Sequence, residues 1–215
     1  MLKLHGLPIS NYYNMVKLTL LEKGVEFEEL TAVPSQQPEL LAQSPRGKVP
    51  FLETDQGFLS ETITLMEYIE DLHPEPPLYP LDPYQSGVVR QLIQLMELYV
   101  ELPARKLLSH VVFGGELSDH HRKEALDGLE LGLPAVQRVA RFAPYIAGDQ
   151  FTSADIFAYY TGMLAGFLTE KVYGENLMLQ LEGYSEWREL IAERPLVQRV
   201  DSDHGVAMAD FLANK

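Results

Sequence analysis

The chain has 215 residues, 46% hydrophobic, 22% charged and 10% aromatic, a globular composition that excludes disorder and low-complexity classes. That length points to one large domain or two compact ones, able to bury enough surface without disulfides or a metal. Acidic residues outnumber basic ones by 31 to 17, for a net charge of −14 split evenly along the chain (5 basic against 12 acidic through residue 77, 12 against 19 beyond it), and such a surface repels nucleic-acid phosphates.

Leu2 and Leu4 alternate with Lys3 and His5, a short strand closed by Gly6 and Pro8. From Tyr12 to Lys23 apolar residues recur with helical spacing; Ser10 or Asn11 is placed to cap that helix, and Gly24 to end it. The segment Val25 to Leu30 alternates again, completing a right-handed βαβ unit. A polar, Pro-containing stretch covers residues 31 to 48. Residues 50–54 and 58–61 then flank Asp55-Gln56-Gly57 as an antiparallel hairpin. Ile63, Leu65, Met66, Ile69 and Leu72 mark one face of a helix ending near His73. The order β-α-β, loop, β-β-α is that of a thioredoxin-like domain.

Residues 73–84 hold five of the fourteen prolines, a stiff linker and domain boundary. Beyond it helical runs are expected at about 84–112, 119–143, 153–168, 174–181 and 184–193, with Thr152 and Asp155 as a capping-box variant opening the third. The expected organisation is an α/β thioredoxin-like domain over 1–77, a Pro-rich linker over 78–84 and an all-helical domain over 85–215.

There is no cysteine, so any thiol chemistry uses sulfur brought by a ligand. The N-terminus lacks the apolar stretch of a secretory signal. The longest uncharged run, Ile156 to Thr169, is 14 residues, too short to cross a bilayer. A cytoplasmic protein with no membrane partner is expected. His120-His121 lacks the i, i+4 spacing of a helical metal pair; no metal is expected.

Four stretches carry a family resemblance: Leu4 to Asn11 after the first strand, Ser44 to Glu53, Leu59 to Thr62 opening a helix, and Phe151 to Ile156 in the helical part. In this order, with the Pro-rich linker between two unlike domains, the chain resembles a cytosolic glutathione S-transferase, of the bacterial, serine-using kind. The resemblance implies glutathione as co-substrate and a homodimer.

Free cysteine has a pKa of ~8.5. Lowering it to ~6.5 takes about 2.7 kcal/mol of preferential thiolate stabilisation. A hydroxyl hydrogen bond to a charged sulfur supplies roughly 1.5–3 kcal/mol and a helix N-terminus ~0.3–1 more. One aimed hydroxyl therefore suffices. Ser10 stands where the resemblance places it. The competing reading makes Ser10 a helix cap, a use that sets its oxygen to accept from the helix rather than donate. Asn11 and Tyr12, with Tyr13, are second choices for activation, and many family members have Pro where Asn11 stands.

The resemblance also implies a cis Val49-Pro50 bond that presents the Val49 main chain to the cysteinyl backbone of glutathione. Glu61 is then expected to take the γ-glutamyl ammonium, and Thr62 with the helix N-terminus its carboxylate. Read without the resemblance, the pair are ordinary first-turn residues. Lys48, with Gln36 and Gln37, is expected at the glycyl carboxylate; Arg46 is read as a surface or dimer residue. A pocket for a small, mostly apolar electrophile is expected between the domains, with Tyr99, His110, Phe113 and Tyr159 as candidates, though aromatic residues at helical spacing are usually core. Asp155 and Trp187 are read as structural. Two alternatives stand beside this: a glutathione-dependent disulfide reductase or peroxidase using the same cleft, and a non-catalytic interaction module that has lost the glutathione site, against which Ser10, Val49-Pro50, Glu61 and Thr62 together argue.

Overall fold

A four-stranded mixed sheet organises the first part of the computed structural model, which describes residues 1–213. The strands are β1 (Leu2–Gly6), β2 (Phe27–Thr31), β3 (Phe51–Glu53) and β4 (Phe58–Ser60), in spatial order β2-β1-β3-β4. β1 pairs parallel with β2 and antiparallel with β3, which continues antiparallel into β4. Alternation along β1 sends Leu2 and Leu4 to one face, where they pack with Tyr13, Val16 and Leu20 of α1 (Asn11–Glu22) and Leu65 and Ile69 of α3 (Thr62–Leu72). α1 ends as its sequence requires: Gly24 takes φ 64°, the left-handed value that closes a helix. A one-turn helix, α2 (Pro38–Leu41), lies in the stretch read as loop. Its Pro38 opens the turn, and four residues are too few for a periodic signal.

The second unit runs from Tyr79 to Ile191. Asp82 caps α4 (Pro83–Met96) through its carboxylate, 2.9 Å from the Gln85 amide, and a π-helical turn (Glu97–Glu101) leads into α5 (Leu102–Arg105). α6 (Leu108–Phe113), α7 (Asp119–Gln137), α8 (Ser153–Tyr173) and α9 (Tyr184–Ala192) follow. The run expected at 174–181 is only a 3₁₀ turn, Leu177–Gln180. α8 is buried around most of its circumference, which marks it as the centre of a helical core. The last helix, α10 (Pro195–Ala213), was not expected from the pattern, and the chain from Ala192 on packs with the first unit rather than the second. The helical domain read as 85–215 is therefore shorter as a packing unit; its residues 214–215 lie outside the described ones. α10 carries Asp201, Ser202, Asp203 and Gly205, weak helix formers, and buries Val197 and Val200 on a face too narrow to read as amphipathic.

Asp155 holds the start of α8. One carboxylate oxygen accepts from the Ile146 amide and the Trp187 indole N–H, both at 2.8 Å; the other accepts from the Thr152 amide at 2.8 Å and its hydroxyl at 3.0 Å. Burial pushes the Asp155 carboxyl up from the ordinary range, against the pull of these four donors. Trp187, read as plain packing, thus also fixes this carboxylate. Asp155→Ala leaves buried donors without an acceptor and should cost about 3–5 kcal/mol. Urea unfolding followed by the fluorescence of the single tryptophan measures it. A loss under about 1 kcal/mol, at the level of an ordinary hydrogen bond, would contradict this role.

Candidate functional site

The strand register decides which loops meet. His5 lies opposite Phe51, Phe51 opposite Ser60, and Gly6 beside Thr31. One step further along each strand brings the β1–α1 loop, Val49-Pro50, Glu61 and the loop after β2 to the same end of the sheet. The Ala32 amide bonding the Gly6 carbonyl at 3.1 Å fastens the last of these. Ser10, Gln37, Lys48, Val49, Pro50, Glu61 and Thr62 all fall at that end.

Ser10 caps α1 with extended backbone, its oxygen accepting from the Tyr13 amide at a long 3.4 Å. A hydroxyl that accepts one bond still has its own proton to donate, so capping and donation are compatible, contrary to the exclusive choice expected from sequence. Ser10 is half-buried, Asn11 buried and Tyr12 half-buried. Tyr13 is committed elsewhere: its hydroxyl donates to Glu29 at 2.6 Å, and burial with that neighbouring carboxylate pushes its pKa far up.

The Val49-Pro50 bond is cis, with Pro50 buried and Val49 half-buried. Thr62 is buried at the first position of α3, and the side chain of the N-cap residue Glu61 makes no capping bond to that helix. Its N-terminal N–H groups thus offer an anion the site that a capping side chain would otherwise fill. Glu61 is exposed and has φ 73°, ψ 114°. A non-glycine residue there carries about 1–3 kcal/mol of strain, an arrangement that clusters at ligand-binding positions. Nothing in the residue type announces it.

The loop after β2 is clasped to the loop before Val49. Gly47, at φ 63°, lies so close to the Ser35 carbonyl that a Cβ would collide with it; the Ser35 backbone amide bonds the Gly47 carbonyl at 3.1 Å, and the Gln36 side-chain Nε2 donates to the Arg46 carbonyl at 3.2 Å. Gln36 therefore builds the loop, while Gln37 stands exposed at the start of α2. The buried Ser44 hydroxyl accepts from the Lys48 amide at 3.2 Å, another residue missed in the sequence. Lys3, Lys17 and Lys23 are paired with carboxylates, whereas among the described residues no ion pair engages Arg46 or Lys48.

Of the residues expected in the second unit, Tyr99 is half exposed on the π-helical turn, and His110 and Phe113 are exposed on α6. Tyr159 is buried in α8 against the Tyr160 ring. His110 is engaged through Nδ1 with the Gly115 carbonyl at 2.8 Å. No group of His, Asp or Glu that could hold a metal ion occurs among the described residues. No helix among them is long and apolar enough to cross a membrane.

This architecture is that of the glutathione transferases: the structure matches glutathione transferase F2 from Populus trichocarpa with a TM-score of 0.81 at 22% identity, covering 96% of this chain and 100% of that one. It also matches Gtt2 from Saccharomyces cerevisiae with a TM-score of 0.76 at 25% identity, over 92% and 99% of the two chains. Residues 4–77 fit the family model described as glutathione S-transferase, N-terminal domain. A glutathione S-transferase from Pseudomonas putida is 42% identical over 212 residues, 99% of this chain and 96% of the relative. The chain belongs to the glutathione S-transferase family.

The backbone at residue 61 gives a stability test independent of activity. Glycine adopts a positive φ without the Cβ penalty, so Glu61→Gly should be more stable than Glu61→Ala by about 1 kcal/mol, the reverse of the order in an ordinary helix or strand. Paired urea titrations decide it; an alanine variant as stable as the glycine one would remove the strain.

Proposed function

We propose that this glutathione transferase activates the glutathione thiol with the Ser10 hydroxyl, a serine-type mechanism, and directs the thiolate at a small, mostly apolar electrophile. The observation that carries the reading is the convergence of the Ser10 loop, Val49-Pro50 and the uncapped start of α3 at one sheet end. In this reading Glu61 takes the γ-glutamyl ammonium, and Thr62 with the α3 N–H groups takes its carboxylate. The Val49 main chain pairs with the cysteinyl unit, leaving the thiol toward Ser10 at the start of α1. Lys48 answers the glycyl carboxylate, with Gln37 beside it; its support is that it is a cation without an ion-pair partner in an acidic chain.

The Ser10 hydroxyl donates a hydrogen bond to the sulfur while its lone pair keeps the Tyr13 amide, and the α1 dipole favours the same negative charge. Asn11 and Tyr12 stand next to it as secondary contributors. The thiol proton leaves to solvent when glutathione binds, and the thiolate then attacks the electrophile held beside it, a step accelerated by proximity. Tyr99, His110, Phe113 and Tyr159 remain the proposed contacts of the second substrate. The family resemblance further implies a cytoplasmic homodimer.

Calorimetric titration of glutathione in buffers of different ionisation enthalpy should show close to one proton released near neutral pH. Ser10→Ala should keep binding within a few-fold, lose most of that release and lower kcat/KM about 10–150-fold, the equivalent of a charge-assisted bond of roughly 1.5–3 kcal/mol. Unchanged turnover would transfer activation to Asn11 or Tyr12. Binding without proton release in the unmodified protein would point to a carrier instead.

A further inference from the structure

The last helix is fastened along α1 in an order that ends at the Ser10 loop. Near the start of α10, Arg194 clamps Glu22 through contacts of 2.9 Å to both carboxylate oxygens. Further on, the buried Lys17 ammonium lies 2.7 Å from both Asp203 and Glu29. The next residue, His204, places Nδ1 2.9 Å from the Pro8 carbonyl. A carbonyl only accepts, so Nδ1 carries the hydrogen. The Asn14 amide donates to the same oxygen at 3.0 Å. Its Nδ2 and His204 Nδ1, 3.3 Å apart, are both donors and share the acceptor rather than bonding each other.

Pro8 is not an arbitrary anchor. The Ser10 amide bonds the Leu7 carbonyl at 2.9 Å, closing a β-turn with Pro8 and Ile9 at its centre. The Pro8–Ile9 peptide is the one whose tilt sets where the turn delivers its last residue, and that residue is Ser10. Asn14 holds this carbonyl from within α1, so it moves with the helix that Ser10 caps. His204 holds it from outside.

We infer that His204 is a positioning residue for Ser10, acting through the Pro8 carbonyl to aim the Ser10 hydroxyl at the glutathione sulfur. The inference rests on the reading of Ser10 given above. It makes α10 part of the thiol-activating apparatus, although no residue of α10 need touch glutathione.

The test compares His204→Gln with His204→Asn in the full chain. The asparagine amide nitrogen falls where Nδ1 stood, one bond beyond Cγ, so it can restore the bond to Pro8. Glutamine keeps helix propensity and bulk but carries its amide past that point. The readouts are the thiol pKa of bound glutathione, from the ultraviolet absorbance of the thiolate, and kcat against KM. His204→Gln should raise the bound thiol pKa and lower kcat roughly tenfold, with KM for glutathione within about twofold; His204→Asn should recover most of both. Loss of stability alone would not shift the pKa of the bound thiol. Unchanged pKa and kcat in His204→Gln, beside a Ser10→Ala variant that does shift them, would overturn the inference and leave Ser10 standing. Equal losses in both His204 variants would also overturn it, by reducing the contact to packing. A Ser10→Ala variant with no effect on the bound thiol would overturn the reading of Ser10 and the inference together.

Discussion

The position of β1, paired parallel on one side and antiparallel on the other, is the constraint on which the rest of the first unit depends. Because β2 runs with β1 and β3 against it, the ends of β1, β2 and β4 and the beginning of β3 must coincide. Every loop able to touch one ligand is thereby gathered at one edge before any side chain is considered. Register also sets the faces: a one-residue slip would turn Leu2 and Leu4 to the opposite face and take Lys3 and His5 into the core. The packing of Leu4 and Leu52 against α1 and α3 is therefore what keeps the site loops in line.

An acidic chain meets an anion through its local cations rather than through its net charge. A net charge of −14 opposes approach at long range, but charge beyond about 8–10 Å is screened at physiological salt. At contact distance a single unit pair is worth about 4 kcal/mol at an effective dielectric of 20, so the local set decides. Lys3, Lys17 and Lys23 are spent on carboxylates that hold the fold. Among the described residues no ion pair engages Arg46 or Lys48, both on the loop that Gly47 and Gln36 clasp.

Regular elements were legible in the sequence wherever periodicity met punctuation. α1 lies between Ser10 and Gly24, the hairpin turns at Gly57, and the proline cluster breaks the chain between units. The resemblance to a known family supplied the reading of Ser10, Val49, Glu61 and Thr62, which as isolated residue types are ordinary caps and first-turn residues. What stayed hidden has a common physical origin in side chains distant along the chain. Trp187 reaches Asp155 across 32 residues, and His204 reaches Pro8 across 196. Residue 61 was hidden differently, since glutamate gives no sign of a positive φ. α10 escaped notice because its buried apolar residues, Val197 and Val200, are too few to read as a face, while the contacts through Arg194, Asp203 and His204 are polar and leave no hydrophobic period.

The same property assigns α10 its value. An apolar helix face would bury more surface but would fix the helix only as well as ridges and grooves allow. Charged and hydrogen-bonded contacts at Glu22, Lys17 and Pro8 fix it residue by residue. Lys17 is buried and shared between Glu29 of β2 and Asp203 of α10, so it ties sheet, first helix and last helix at one point. Removing either carboxylate would weaken the compensation of a buried ammonium, a costly state. That cost opposes any sliding of α10 along α1. A misplacement of about 1 Å can cost a positioned reacting group about a hundredfold, and a helix held against sliding is a suitable support for the Pro8 turn that precedes Ser10.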